Sequence, residues 1–138
     1  MASSESTQQI LYRAALSAMH NAYAPYSHFK VGAAVLDTKG NIHIGCNVEN
    51  AAYPEGICAE ANAIGAMVSA GETEIDQICI VSSAGKEVPP CGGCRQKIHE
   101  FAGNNTDVFV CGLDGLEQQF TIEQLLPASF GAVNLRDL

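Results

Sequence analysis

The chain has 138 residues, of which 47% are hydrophobic and 16% charged, and this composition fits one globular domain spanning residues 1–138. Fifteen aspartates and glutamates outnumber seven scattered lysines and arginines, so the net charge of −8 argues against nucleic-acid binding and favours an uncharged small-molecule ligand. The sequence shows neither an export signal nor a run of about 20 apolar residues that could span a bilayer. We therefore expect a cytoplasmic protein with no membrane partner and with reduced cysteines.

Hydrophobic periodicity predicts the secondary structure in chain order. The predicted elements are helix 6–22, strand 29–36, strand 41–47, helix 58–70, strand 77–82, helix 91–102, strand 108–111, strand 118–121 and a last helical turn at 122–126. This order predicts an α/β fold in which helices cover both faces of a mixed five-stranded sheet, a three-layer α-β-α sandwich.

Three cysteines have the spacing of a metal site. Cys91 and Cys94 form a Cys-x-x-Cys pair, which is a common zinc half-site, and Cys58 completes a set of three soft ligands. All three lie at or near predicted helix starts, where free backbone N–H groups and the helix dipole favour a thiolate. Because a catalytic zinc normally has three protein ligands and leaves its fourth position to water, the pattern predicts a catalytic Zn²⁺ site.

Glu60, two residues after Cys58, provides a carboxylate beside this predicted site. The zinc-dependent nucleobase deaminases combine such a glutamate with a Pro-Cys-x-x-Cys sequence, and residues 90–94 match it in a three-cysteine form. We therefore interpret Glu60 as the proton shuttle of a hydrolytic deaminase, which takes a proton from water, protonates N3 of a pyrimidine and delivers a proton to the departing amine. The three thiolates should raise the pKa of Glu60.

Other interpretations of the cysteines remain open. A Cys-x-x-Cys pair alone is equally typical of a closed structural zinc site or of a redox pair. A histidine could supply a fourth ligand that closes the site; the candidates are His20, His28, His43 and His99. Cys46, Cys79 and Cys111 lie within predicted strands, and we expect them to be small buried apolar residues.

Over nearly its whole length the sequence resembles the small homotetrameric cytidine deaminases. Five collinear segments carry the resemblance: APYSHFKVGAA at 24–34, NVENAAY at 47–53, ICAE at 57–60, PCGGCRQ at 90–96, and LLP at 125–127 followed by Phe130. The resemblance implies a cytidine deaminase-like fold and one Zn²⁺ per subunit. It also implies conversion of cytidine or deoxycytidine to uridine or deoxyuridine plus ammonia in pyrimidine salvage.

The resemblance also implies roles for substrate-binding residues. Asn47 and Glu49 would hold the ribose hydroxyls, and a pocket that depends on such bonds rejects a free base. Phe29 would stack on the pyrimidine, and the backbone N–H of Ala59 would bind the base carbonyl. Phe130 would enter the site of a neighbouring subunit, so that the active sites of a homotetramer would lie at subunit interfaces.

The sequence departs from the usual pattern of this family at two positions. Ala61 follows the glutamate where the family commonly has an arginine, so we expect Arg95 and the helix N–H groups to neutralise more of the thiolate charge. Glu55 occupies a position that is more usually apolar. These differences favour, as an alternative, a deaminase of a modified cytosine nucleoside or of a nucleoside antibiotic.

Two further alternatives belong to other functional classes. A non-catalytic zinc-stabilised binding module would have a fourth protein ligand, and it would leave Glu60 without a role. An enzyme that edits polynucleotides is disfavoured by the negative net charge and by the lack of an inserted basic loop.

Overall fold

The computed structural model describes residues 5–115 and 117–136. The helices and strands are α1 (Thr7–His20), β1 (Val31–Asp37), β2 (Ile42–Cys46), α2 (Ala59–Ser69), β3 (Ile75–Ser82), α3 (Gly92–Phe101), β4 (Ala102–Cys111), β5 (Glu117–Thr121) and α4 (Ile122–Leu125). Single 3-10 turns occupy Tyr53–Glu55 and Ala132–Asn134. The predicted elements are confirmed in number and order, with small shifts at their ends except at the start of β4.

The five strands form one mixed sheet in the order β2-β1-β3-β4-β5. The β3–β4 pair is parallel and the other three pairs are antiparallel. α1 packs on one face, where its apolar stripe meets alternate residues of β1, β3 and β4. α2 and α3 pack on the other face against the remaining apolar side chains of the same strands. The predicted three-layer sandwich is therefore confirmed.

Local sequence explains where α1 begins and where the β1–β2 hairpin turns. Ser6 caps α1 by accepting from the amide of Gln9, whose side chain accepts in return from the amide of Ser6. In the hairpin, the buried carboxylate of Asp37 accepts from the amides of Lys39 and Asn41, which fixes the turn. The second oxygen of Asp37 lies 2.7 Å from Nε2 of His43 on β2.

Two glycines bring the helices directly onto the sheet. A Cβ atom at Gly32 of β1 would lie 1.9 Å from the carbonyl oxygen of Ala15 in α1. A Cβ atom at Gly45 of β2 would lie 2.4 Å from the amide nitrogen of Ala63 in α2. Since real side chains do not make such contacts, the position of α2 over the sheet depends on Gly45 having no side chain.

β4 is longer than the sequence predicts. It begins at Ala102, directly after α3, and its first residue pairs with Ile75 of β3, whereas the expected strand began at residue 108. Residues 102–107 are mostly polar and small, so they have no strand-like hydrophobic pattern. The hydroxyl of Thr106 compensates by donating to the carbonyl of Ile75 and accepting from the amide of Gly103.

Within residues 5–115 and 117–136, no helix has the length and apolar character needed to cross a membrane.

Candidate active site

The three predicted metal ligands come together at the starts of two helices. Cys58 is the N-cap of α2, Cys91 is the N-cap of α3, and Cys94 lies in the first turn of α3. Their sulfur atoms all lie within 4.8 Å of one another. A tetrahedral zinc ion with bonds of about 2.3 Å requires sulfur atoms about 3.8 Å apart, so small side-chain adjustments suffice to hold the ion.

The ionisation of the thiols also fits a metal site. Burial is the largest cause that raises the pKa of Cys58 and the pKa of Cys94. The pKa of Cys91 is lowered, chiefly because the backbone N–H of Cys94 donates to its sulfur. A Zn²⁺ ion held by the three sulfur atoms would favour their thiolate forms, because a coordinating thiol loses its proton.

Among the described residues, the cluster contains these three cysteines and no fourth histidine, cysteine or carboxylate ligand. His43 is paired with Asp37 in the β1–β2 hairpin, and Nε2 of His99 lies 3.2 Å from the hydroxyl of Ser129. The alternative in which a histidine closes a structural zinc site is thus not supported by the side-chain positions. Three ligands leave a position for water, as a catalytic zinc requires.

Glu60 is the second residue of α2 and lies beside this cluster. Only 5% of its surface is exposed, and burial is the largest cause that raises the pKa of Glu60. Hydrogen bonds from its own backbone amide and from Cys94 act in the opposite direction. A raised carboxyl pKa suits a group that must both accept and donate protons near neutral pH. We predicted the direction of this shift from the thiolates, but burial is its main cause.

A cavity of about 220 Å³ opens beside the thiols and Glu60. It brings together most of the residues that the sequence singled out: Phe29, Asn47, Cys58, Ala59, Glu60 and Cys91. The rest of its lining comes from the ends of β1 and β3 and from the loop before α3: Val31, Ile80, Ser82, Val88, Pro89 and Pro90. The lining is mostly apolar with a few polar groups, as is usual for a small-molecule site.

Asn47 holds the backbone at the entrance to this cavity. Its side-chain oxygen accepts from the amide of Val31, and its side-chain nitrogen donates to the carbonyl of Phe29, both at 2.8 Å. These bonds fix the segment that carries the Phe29 ring. The amide group of Asn47 retains one further hydrogen and one further lone pair for a ligand.

Glu49 lies outside the first cavity and lines a second one of about 400 Å³ together with Tyr26 and Tyr53. One carboxylate oxygen accepts from the amides of Tyr26 and Ser27, and the other accepts from the hydroxyl of Ser27. The hydroxyl of Ser27 is the largest cause that lowers the pKa of Glu49, which therefore stays ionised.

Phe130 does not line either cavity in the single chain. Its side chain is 58% exposed, and its carbonyl accepts from the side chain of Gln96 in α3 at 2.8 Å. The C-terminal segment is thus attached to α3, and Phe130 is exposed and is not among the residues that line the cavity.

Three findings differ from what the sequence suggested. Arg95 was expected to neutralise the thiolates, but its Nε donates to the carbonyl of Pro90 and its Nη1 to the carbonyl of Leu125. Arg95 therefore ties the metal-binding loop to α4. Sequence analysis also missed Ser82 as a lining residue, although a serine at the end of an apolar strand was a usable signal. Cys79 and Cys111 are buried as predicted, whereas Cys46 is only partly buried.

A three-thiol site with a buried glutamate at the starts of two helices defines a zinc hydrolase of the nucleobase deaminase class. Residues 5–111 match the family model described as "Cytidine and deoxycytidylate deaminase zinc-binding region". The chain therefore belongs to the cytidine and deoxycytidylate deaminase family, and its thiol cluster is consistent with one zinc ion per subunit.

Relatives in this family match the chain over most of their length. A cytidine deaminase of Halalkalibacterium halodurans is 39% identical over 130 residues, which cover 94% of this chain and 98% of the relative. A cytidine deaminase of Sporosarcina psychrophila is 41% identical over 118 residues, covering 86% of this chain and 87% of the relative. The crystal structure of cytidine deaminase from Burkholderia pseudomallei superposes with a TM-score of 0.86 at 37% identity, covering 91% of this chain and all of the other.

Proposed function

We propose that this protein is a zinc-dependent hydrolase that converts cytidine and deoxycytidine to uridine and deoxyuridine plus ammonia. The observation that carries the proposal is the buried Glu60 carboxyl next to three converging thiols, at a cavity of a size suited to a pyrimidine ring. Relatives that are named cytidine deaminases match over nearly the full chain and support the same reaction.

Cys58, Cys91 and Cys94 would hold the zinc ion, which would act as a Lewis acid and lower the pKa of a water molecule. The backbone N–H groups at the two helix starts would offset part of the thiolate charge, as the donor from Cys94 to Cys91 already does. Arg95 would contribute by holding the loop at Pro90 in place rather than by contacting sulfur.

Glu60 would move the protons of the reaction. Its place in the first turn of α2 keeps the carboxyl fixed relative to Cys58, and its burial keeps the pKa raised. It would accept one proton from the attacking water and pass it to N3 of the cytosine ring, and it would then take the second proton from the hydroxyl added to the ring carbon and deliver it to the departing amine. The exocyclic C–N bond breaks, a C–O bond forms, and ammonia leaves.

Four residues would bind the nucleoside. The ring of Phe29 would stack on the base, in the segment that Asn47 fixes. The amide of Ala59 would donate to the base carbonyl, since the first N–H groups of α2 have no acceptor within the helix. Asn47 and Glu49 would bind the ribose hydroxyls through the hydrogen-bonding capacity left by their backbone contacts.

We also propose that the chain assembles as a homotetramer in which Phe130 enters a neighbouring site. Support comes from large apolar side chains that are exposed around the second cavity and on the C-terminal segment: Tyr23, Tyr26, Val48, Tyr53, Ile57, Phe130, Val133 and Leu135. Exposed apolar surface of this kind is typical of an association site. Residues 1–138 would form one catalytic domain, located in the cytoplasm, and cysteines without disulfide bonds agree with a reducing compartment.

Subunit mixing tests a site shared between chains. A Phe130→Ala variant and a Glu60→Gln variant should each have little activity. Unfolding and refolding them together should restore part of it, because a mixed assembly can combine an intact Glu60 with a Phe130 from a neighbour. Light scattering should give four chains per particle. A monomer with full activity would contradict the proposed assembly.

A substrate panel followed by ultraviolet absorbance and ammonia release tests the reaction. We expect cytidine and deoxycytidine to react and free cytosine to react far more slowly, because the ribose contacts would then be unmade. Glu55 and Ala61 favour, as the second candidate, a modified cytosine nucleoside as the substrate. Turnover of such a nucleoside orders of magnitude faster than cytidine would replace the first candidate.

A further inference from the structure

Ser82 carries a buried hydroxyl group that has no partner. The residue ends β3 and is 2% exposed. Its Oγ atom makes no hydrogen bond to any residue that the structure describes. A buried hydroxyl without a partner is unfavourable, and folded proteins satisfy most such groups. This serine therefore needs a partner from outside the chain's own contacts.

The position of Ser82 points to the source of that partner. Side chains alternate along β3, so Ser82 lies on the same face as Ile78 and Ile80, which pack under α2 and α3. Ser82 lines the same cavity as Phe29 and Glu60. Its strand neighbour in β1 is Val31, so the side chains that surround it at this end of the cavity are largely apolar.

We propose that Ser82 is a specificity-determining residue whose hydroxyl forms a hydrogen bond with the cytosine base in this cavity. This inference rests on the proposed function. A serine hydroxyl can donate and accept, so it can pair with a carbonyl, ring nitrogen or amine of the base. A pocket that forms a hydrogen bond with a polar group of its substrate discriminates against ligands that lack this group.

Equilibrium binding of cytidine tests this contact without turnover. The zinc-loaded Glu60→Gln protein is compared by calorimetry with the same protein carrying Ser82→Ala. We expect the second substitution to raise the dissociation constant about three- to tenfold, the usual effect of one hydrogen bond. The midpoint of thermal unfolding without ligand should stay the same or rise, because alanine removes a hydroxyl that has no partner.

Ser83→Ala is the matched control. The hydroxyl of Ser83 accepts from the amide of Lys30 at 2.9 Å, and Ser83 is not among the residues that line the cavity. This substitution should lower the unfolding midpoint and leave the cytidine dissociation constant unchanged. Ser82→Ala should therefore weaken cytidine binding without lowering stability, whereas Ser83→Ala should lower stability without weakening cytidine binding.

An unchanged dissociation constant in the Ser82→Ala protein would overturn the inference. If the wild-type chain still deaminates cytidine in that case, only the role of Ser82 fails. If the wild-type chain neither binds nor deaminates a cytosine nucleoside, the proposed function fails and the inference fails with it.

Discussion

The buried thiol cluster with Glu60 and the exposed segments that carry Glu49, Tyr53 and Phe130 are constructed differently. Cys94 and Glu60 are buried in the first turns of helices that pack on the central sheet. By contrast, Tyr53 and Phe130 are 77% and 58% exposed and lie outside the long helices and the strands. The carboxylate of Glu49 accepts hydrogen bonds from the backbone amides of Tyr26 and Ser27. The groups that would perform the proposed chemistry are thus fixed by the core of one chain. The groups that select the nucleoside depend on loops and, in our proposal, on a second chain.

The largest effect should follow from breaking the thiol cluster. Cys91→Ala removes one of three ligands, so we expect bound zinc, measured by atomic absorption, to fall severely and activity to disappear. Cys46→Ala is the control, because Cys46 lies on β2 outside the cluster. The Cys46→Ala protein should therefore bind as much zinc as the wild type. Full zinc content in Cys91→Ala would show that the cluster is not the metal site.

The next largest effect is expected for Gly45→Ala, which tests whether the packing of α2 on the sheet fixes the position of Glu60. Gly45→Ala would force α2 away from β2, because the new Cβ atom would lie 2.4 Å from the amide nitrogen of Ala63. We expect a loss of about 1–3 kcal/mol in the free energy of unfolding and a fall in kcat of about 100-fold. Chemical denaturation and steady-state kinetics measure the two effects.

Gly65→Ala is the matched control on the same helix. A Cβ atom at Gly65 would meet nothing within 4 Å, and the residue is exposed. We expect this variant to be more stable by about 0.5–1 kcal/mol with unchanged kcat. If both glycine variants kept full activity, the close contact between β2 and α2 would not be needed to place Glu60.

A smaller effect is expected on the exposed segments, at Glu49. Glu49→Gln removes the charge that strengthens the carboxylate's hydrogen bonds, so KM for cytidine should rise about tenfold with a smaller change in kcat. Glu74→Gln, at an exposed position, should leave both constants unchanged. An unaltered KM in Glu49→Gln would remove Glu49 from the proposed ribose site.

The smallest effect concerns stability at low pH, away from the site. Burial acts to raise the pKa of Asp37, but the hydrogen bonds from His43 and from two backbone amides outweigh it and hold that pKa below its usual range. The resulting stabilisation is present above the usual carboxyl pKa of about 3.9 and is lost as the pH falls through the lowered value. Urea midpoints measured from pH 7 to pH 2.5 should therefore fall less steeply for Asp37→Asn than for the wild type. Equal slopes would contradict this account.

Local sequence patterns could predict the parts of the molecule that local chemistry determines. The cluster of Cys58, Cys91 and Cys94 beside Glu60 was predictable, although it joins two helix starts, because these residues together match a known zinc-site pattern. The strands β1, β2 and β3 followed from their apolar residues, and so did the second half of β4. Contacts between distant segments were not predictable in the same way, since no local pattern encodes them.

Three examples show this limit. The first half of β4 is polar, and it forms a strand because Ala102 meets Ile75 across the sheet. The Nη1 of Arg95 donates to the carbonyl of Leu125, which lies 30 positions away. In the sequence, Ser82 is simply the last residue of a predicted core strand. Only the fold shows that it lines a cavity.

The most direct test of the account is a comparison of Glu60→Gln with the wild type. The substitution preserves shape and removes the ionisable group, so zinc content and cytidine affinity should be retained within a few-fold. We expect kcat to fall by a factor of about 100 to 10,000, the usual contribution of general acid–base catalysis. Glu60→Gln protein that binds zinc and cytidine and still turns over at the wild-type rate would contradict the central role given to this carboxyl group.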